Sequence, residues 1–144
     1  MPSQATEVPP VVLDNVYLYV IMRNDLASLN PGKACAQATH AANQCVHEIR
    51  KSSDPQLHAQ LVAWEQASGA GFGTCIVLSA NEREMRRLVD AFSLYKVHTG
   101  ITHDPSYPLM DGDTLHLIPL DTCAFAFGKK DFLEPFLRHL PLMA

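Results

Sequence analysis

The feature that most constrains this chain is an abrupt change of character at Arg23. Before it, Val16-Tyr17-Leu18-Tyr19-Val20-Ile21-Met22 is an unbroken run of aliphatic, β-branched and aromatic residues; after it comes a short polar stretch with Pro31 and Gly32, then an alanine-rich segment. An apolar run of that length without alternation predicts a strand covered on both faces. Proline and glycine end it, and the alanines open a helix. A central strand feeding a helix is the beginning of an α/β domain.

The helix is expected from about Gly32 to Arg50 and Lys51, whose charges favour its C-terminal end. On it Lys33, Gln37 and His40 fall at i, i+4 and i+7, so one stripe carries a cation, an amide and an imidazole. The surrounding small residues let the helix lie close to the sheet, with the stripe facing a cleft beyond the strand ends, where open α/β sheets place ligands.

Further along, Asp54 and Pro55 read as N-cap and first residue of a second helix ending near Ser68, with Leu57, Leu61 and Trp64 on its buried face. Gly69-Ala70-Gly71-Phe72-Gly73 follows a helix and precedes a strand, the reverse of a dinucleotide loop, and reads as a helix stop before a strand at Thr74–Leu78. Ser79-Ala80-Asn81-Glu82 has capping-box spacing and starts a helix through about Tyr95, with Met85, Leu88, Val89 and Phe92 inward. Arg83, Arg86 and Arg87 among Glu82, Glu84 and Asp90 read as a salt-bridged surface. A third strand over Lys96–Thr102, a proline-rich turn at Asp104–Pro108, a turn at Asp111-Gly112-Asp113 and a fourth strand at Thr114–Ile118 follow. Cys123–Phe127 alternates as an extra edge strand would, and Lys129–His139 reads as a helix interrupted or restarted at Pro135. This order predicts a three-layer α/β/α sandwich on a small, mixed, mostly parallel four-stranded sheet. The third and fourth strands are too close in sequence for a helical crossover, so at least one pairing is antiparallel.

A length of 144 residues suits one domain, placed at 16–144 behind a flexible lead-in over Met1–Asn15. That lead-in lacks lysine and arginine, which argues against a signal peptide, and no apolar run approaches the ~20 residues of a membrane span. A soluble, cytoplasmic protein is expected. Cys35, Cys45, Cys75 and Cys123 show no C-x-x-C spacing and read as reduced core residues. A net charge of -4 gives no global attraction to nucleic acid, so any RNA contact must be local.

The motif after the first strand resembles that of the type-2 peptidyl-tRNA hydrolases of archaea and eukaryotes. Their strand ends in Arg-x-Asp-Leu, and after a short loop the first helix carries Gly-Lys-x-x-Ala-Gln-x-x-His-Ala. Here Arg23, Asp25, Leu26, Gly32, Lys33, Ala36, Gln37, His40 and Ala41 occupy those positions, in a loop about one residue longer and with Pro31 where a lysine is usual. The family's second signature is an aspartate followed by Ala-Gly-Arg-Thr, then a glycine–threonine strand entry and a Gly-Pro at the strand end. Asp104 matches the aspartate, and Gly112 and Thr114 match the strand entry. The Gly-Arg-Thr element is absent: Ser106, Tyr107 and Pro108 stand there, with Ser106 or Tyr107 as possible sources of the lost hydroxyl.

The resemblance implies hydrolysis of the ester joining a peptide to the terminal ribose of tRNA, with no cofactor and no metal, and family members are often homodimers. Such a reaction needs an activated water, oxyanion stabilisation and a proton for the leaving hydroxyl. On that reading Lys33 and Asp104 form the chemical pair and His40 supports them. Asp25, Gln37, Ser106 and Thr114 bind substrate. Lys33 and His40 lie about 10 Å apart along the helix axis, too far to act on one atom. Read without the resemblance, Lys33 is a first-turn lysine beside the loop, Asp104 an Asx-type turn before Pro105, and His40 a structural histidine. Two further readings stand beside the hydrolase. One is a same-fold relative with lost or altered activity that acts as a binding protein. The other is a metal-dependent hydrolase using His98, His103, Asp104, Asp111, Asp113 and His116. The alternating segment Cys123–Phe127, if exposed, is the edge at which two copies would meet.

Overall fold

A computed structural model describes residues 15–144. The lead-in expected over Met1–Asn15 lies, apart from Asn15, outside the described residues. The element order is β1 (Val16–Arg23), α1 (Pro31–Lys51), α2 (Pro55–Gln66), β2 (Cys75–Ala80), α3 (Glu82–Leu94), β3 (His98–Asp111), β4 (Thr114–Lys129) and α4 (Lys130–Leu137). The strands form one sheet in the order β2-β1-β4-β3.

The unbroken apolar character of β1 follows from its place in the interior of that sheet. Leu18, Val20 and Met22 point to one face and pack with Ala41, Cys45 and Ile49 of α1 and Leu61 and Trp64 of α2. Tyr19 and Ile21 point to the other face, among Met85, Leu88 and Phe92 of α3 and Leu133 and Leu137 of α4. β4 divides in the same way: Cys123, Phe125 and Phe127 face α1 and α2, while the small Ala124 and Ala126 face α3 and α4. Two helical layers therefore enclose one sheet, as the element order predicts.

The sheet is mixed, but β1–β2 is parallel whereas β1–β4 and β3–β4 are antiparallel, so parallel pairs are not the majority. The difference comes from the second half of the chain. β3 runs through the proline-rich stretch read as a turn, because it is an edge strand, where proline is tolerated, and Pro105 falls in the shifted register between Asp104 and Tyr107. β4 likewise continues past Ile118 and Pro119 into Cys123–Phe127. That segment is no exposed edge: it is fully buried between β1 and β3 and offers no surface to a second copy.

Other expectations shift more locally. Asn81, not Ser79, caps α3, its side chain accepting from the Glu84 N–H, while Ser79 is a buried residue of β2. Asn30 caps α1 by accepting from Lys33 N–H at 2.9 Å, with Pro31 in the first helical position. Pro135 sits inside α4 without ending it. Cys45 and Cys123 are core residues as expected, but Cys35 and Cys75 are exposed. No helix among the described residues is long and apolar enough to cross a membrane.

Candidate active site

The C-terminal end of β1, the loop after it, the first turns of α1 and an irregular part of the β3–β4 ladder converge at one end of the sheet. The irregularity is specific: Thr102 pairs with Cys123 and His103 with Asp121, leaving Thr122 as an extra residue on β4. A bulge of this kind re-aims side chains. Consecutive residues Thr122 and Cys123 consequently both reach α1, Thr122 Oγ1 donating to Gln37 Oε1 at 2.6 Å and Cys123 Sγ to the Gln37 carbonyl at 3.5 Å.

Gln37 is the hub, only 2% exposed. With its oxygen taken by Thr122, its Nε2 donates to Asp104 Oδ2 at 2.7 Å. A second shift in the ladder, between Asp104 and Tyr107, frees the chain to curl so that Ser106 N–H donates to Asp104 Oδ1 at 2.8 Å, the Asx-type turn expected before Pro105. Burial pushes the Asp104 carboxyl pKa up, but the Gln37 and Ser106 hydrogen bonds and the charges of His40 and His103 outweigh it and hold the pKa below the ordinary carboxylate value. Asp104 is therefore ionised at neutral pH.

Lys33 lies one helical turn before Gln37, so its Cβ is about 6 Å from that of Gln37. Its Nζ donates to the Pro108 carbonyl at 2.7 Å and stands 5.1 Å from the centre of the Tyr107 ring. Tyr107 itself is fully buried, its hydroxyl 2.9 Å from Ser28 Oγ in the β1–α1 loop. The segment that lacks Gly-Arg-Thr thus supplies a phenol and a carbonyl that fix the loop and position the ammonium.

A chain of alternating charges flanks this group. Arg23, nearly buried, donates through Nε to Asp25 Oδ1 at 2.8 Å and through Nη1 to the Asp121 carbonyl at 3.1 Å, and its Nη2 lies 3.1 Å from Glu82 Oε2. Arg86 joins Glu82 at 2.9 Å to Asp121 at 2.6 Å, and His103 Nδ1 closes the series 2.8 Å from Asp121 Oδ1. Hydrogen bonding by Arg86 and then His103 holds the Asp121 carboxyl pKa low, and hydrogen bonding by Arg23 does the same for Asp25.

The residues singled out in the sequence divide accordingly. Gln37 and Asp104 are in direct contact, Lys33 is a turn away, and Ser106 takes part through its backbone while its residue is exposed. His40 is exposed on α1 and acts on Asp104 through its charge. Asp25 is committed elsewhere: Oδ1 accepts from Arg23, and Oδ2 from the Glu82 N–H at 3.1 Å, which ties the loop to the start of α3. Thr114 is not in the group. It sits at the tip of the β3–β4 hairpin, opposite Asp111, seven residues along the strand from Asp104 and about 20 Å away. The threonine that reaches the site is Thr122, whose place depends on a bulge that no local pattern announces; Tyr107 was visible only as a departure from a motif.

The six residues of the metal reading do not converge. His98 turns to the Cys45 carbonyl and Glu48, His103 pairs with Asp121, and His116 lies 3.9 Å from Asp111 at the exposed hairpin tip. Among the described residues, no group of three or more His, Cys, Asp or Glu side chains is placed to hold a metal ion.

No curated protein matches the chain. The family model described as Peptidyl-tRNA hydrolase PTH2, however, matches residues 16–143, from the first residue of β1 to the penultimate residue of the chain, and so spans every element that builds the Gln37–Asp104 group. The chain belongs to the peptidyl-tRNA hydrolase PTH2 family.

Proposed function

We propose that the protein hydrolyses the ester between a peptide and the terminal ribose of tRNA. The observation that carries this reading is the ionised Asp104 carboxylate held at 2.7 Å by Nε2 of Gln37, the residue one helical turn after Lys33 on α1. A carboxylate of lowered pKa is a weak base at rest. Asp104 accordingly fixes and polarises the attacking water and takes its proton only as the new C–O bond forms. Lys33 supplies positive charge to the oxyanion that develops on the ester carbonyl. Gln37 and Thr122 hold Asp104 in place, and His40 stands exposed at the rim. The leaving ribose hydroxyl recovers the proton as the tetrahedral intermediate collapses.

Release of peptide from peptidyl-tRNA, measured for the wild type and for Lys33→Ala and Asp104→Asn, tests this. The expected result is release by the wild type and a fall of about 100-fold or more in each folded variant. No release by the wild type, or unimpaired release by both variants, overturns it.

A further inference from the structure

A cavity of about 460 Å³ opens at the other end of the sheet, between the first turns of α2, the end of α3 and the start of α4. Its wall includes Gln56, Gln60, Tyr95, Lys96, Lys129 and Phe132. His98, also in that wall, is six residues before Asp104 on β3, so the cavity lies about 20 Å from the Asp104 group. Its volume is within the range of small-ligand sites.

The wall has the parts that hold a nucleotide. Tyr95 and Phe132 are 60% and 44% exposed and meet edge to face, ring centres 5.9 Å apart, so that the open face of Tyr95 is left for a base to stack on with Phe132 at its edge. Gln56 and Gln60, one turn apart on α2, bring amide donors and acceptors for a base edge. Lys96 and Lys129 bring positive charge. The carboxylate in the wall, Asp54, is already engaged as the α2 cap, accepting from the Gln56 N–H at 2.9 Å. His98 adds no charge at neutral pH, because burial lowers its pKa against the opposing pull of Glu48.

Lys96 is the telling residue. α3 ends in a Schellman arrangement, with the Lys96 N–H donating to the Ser93 carbonyl at 3.2 Å and the Val97 N–H to the Phe92 carbonyl at 3.0 Å. This ending puts Lys96 at φ 57, and it is the only non-glycine residue with positive φ among the described residues. Glycine is the usual occupant of such a position, since a Cβ is strained there. Lys96 thus combines a strained backbone with a place in the cavity wall, which points to its ammonium as the group a ligand would meet.

We propose that this cavity binds a nucleotide unit, its phosphate held by Lys96 and Lys129 and its base stacked on Tyr95. The site is separate from the Asp104 group, and its occupancy does not depend on what that group hydrolyses. The nucleotide comes either from an RNA strand or from the free pool.

Titration calorimetry on the full chain with AMP, adenosine and whole tRNA tests the proposal, using the wild type and Lys96→Gly. AMP is expected to saturate the wild type and adenosine to bind at least about tenfold more weakly. Lys96→Gly is expected to lose about tenfold in AMP affinity while its melting temperature rises by about 4 °C, since strain is relieved. A lysine serving only the helix end moves the melting temperature and leaves AMP binding unchanged. If AMP competes with tRNA and Lys96→Gly weakens both, the nucleotide belongs to RNA; if only AMP binding falls, it is a free nucleotide. No saturable AMP binding by the wild type, equal binding of adenosine, or wild-type AMP affinity in Lys96→Gly overturns the proposal.

Discussion

At the scale of single residues, the site turns on one buried amide. Gln37 serves Thr122 with its oxygen and Asp104 with its nitrogen, a division of labour that a carboxylate cannot perform. The Asp104 pKa is lowered, so its contribution to stability is present above the unfolded-state value of about 4 and is lost as pH falls through the folded value. Gln37→Glu reverses that sign. Two carboxylates at hydrogen-bond distance share a proton, and the pair's pKa rises above the unfolded values, so stability is present at low pH and lost as pH rises. The variant is expected to be about 2 kcal/mol less stable than the wild type at pH 7 and to recover part of that deficit at pH 5, by denaturant titration at both pH values. An equal deficit at both would mean that Gln37 and Asp104 are not coupled.

At the scale of elements, the passage from α2 to β2 shows how tightly local pieces are joined. Trp64 Nε1 donates to the Thr74 carbonyl at 2.9 Å, and the backbone of Gly73 passes so close that a Cβ there would stand 2.4 Å from the Trp64 carbonyl oxygen. Gly73→Ala is therefore expected to cost about 2 kcal/mol or more, seen as a lower denaturation midpoint, whereas Gly71→Ala meets no neighbour within 4 Å and is strained only by its φ of 89. The glycine-rich stretch is a structural joint, as its order between helix and strand implied. β1, α1 and the inward faces of α2 and α3 were legible because hydrophobic periodicity and caps are local signals. The extent of β3 and β4 was not. Pro105 and Pro108 read locally as a turn and the fourth strand as stopping at Ile118, and only the position of β3 at the sheet edge and the pairing of β4 with β1 make those stretches continuous strands. The same reason hid Thr122. The register that gives it to Gln37 is set between strands, so the sequence pointed to Thr114 at a glycine instead.

At the scale of the whole molecule, every site residue on α1 answers to a partner more than sixty positions away, Lys33 to Pro108 and Gln37 to Asp104 and Thr122. β1 makes the same demand on the sheet. It sits between β2 and β4, and its first residue, Val16, pairs with Lys129 near the other end of the chain. During synthesis β1, the first strand among the described residues, is thus made well before β4, which pairs with one of its edges. Its main-chain edge toward β4 waits, unpaired, until β4 has been made, a period in which exposed strand edges invite mispairing. A chain ended at Asp113, lacking β4 and α4, is expected to remain sensitive to limited proteolysis throughout β1, while the full chain resists; protection of β1 in the shortened chain would show that it finds shelter earlier. A fold that must be finished before it is safe has its weakest moment in the translating cell, the same setting in which a peptidyl-tRNA hydrolase meets its substrate.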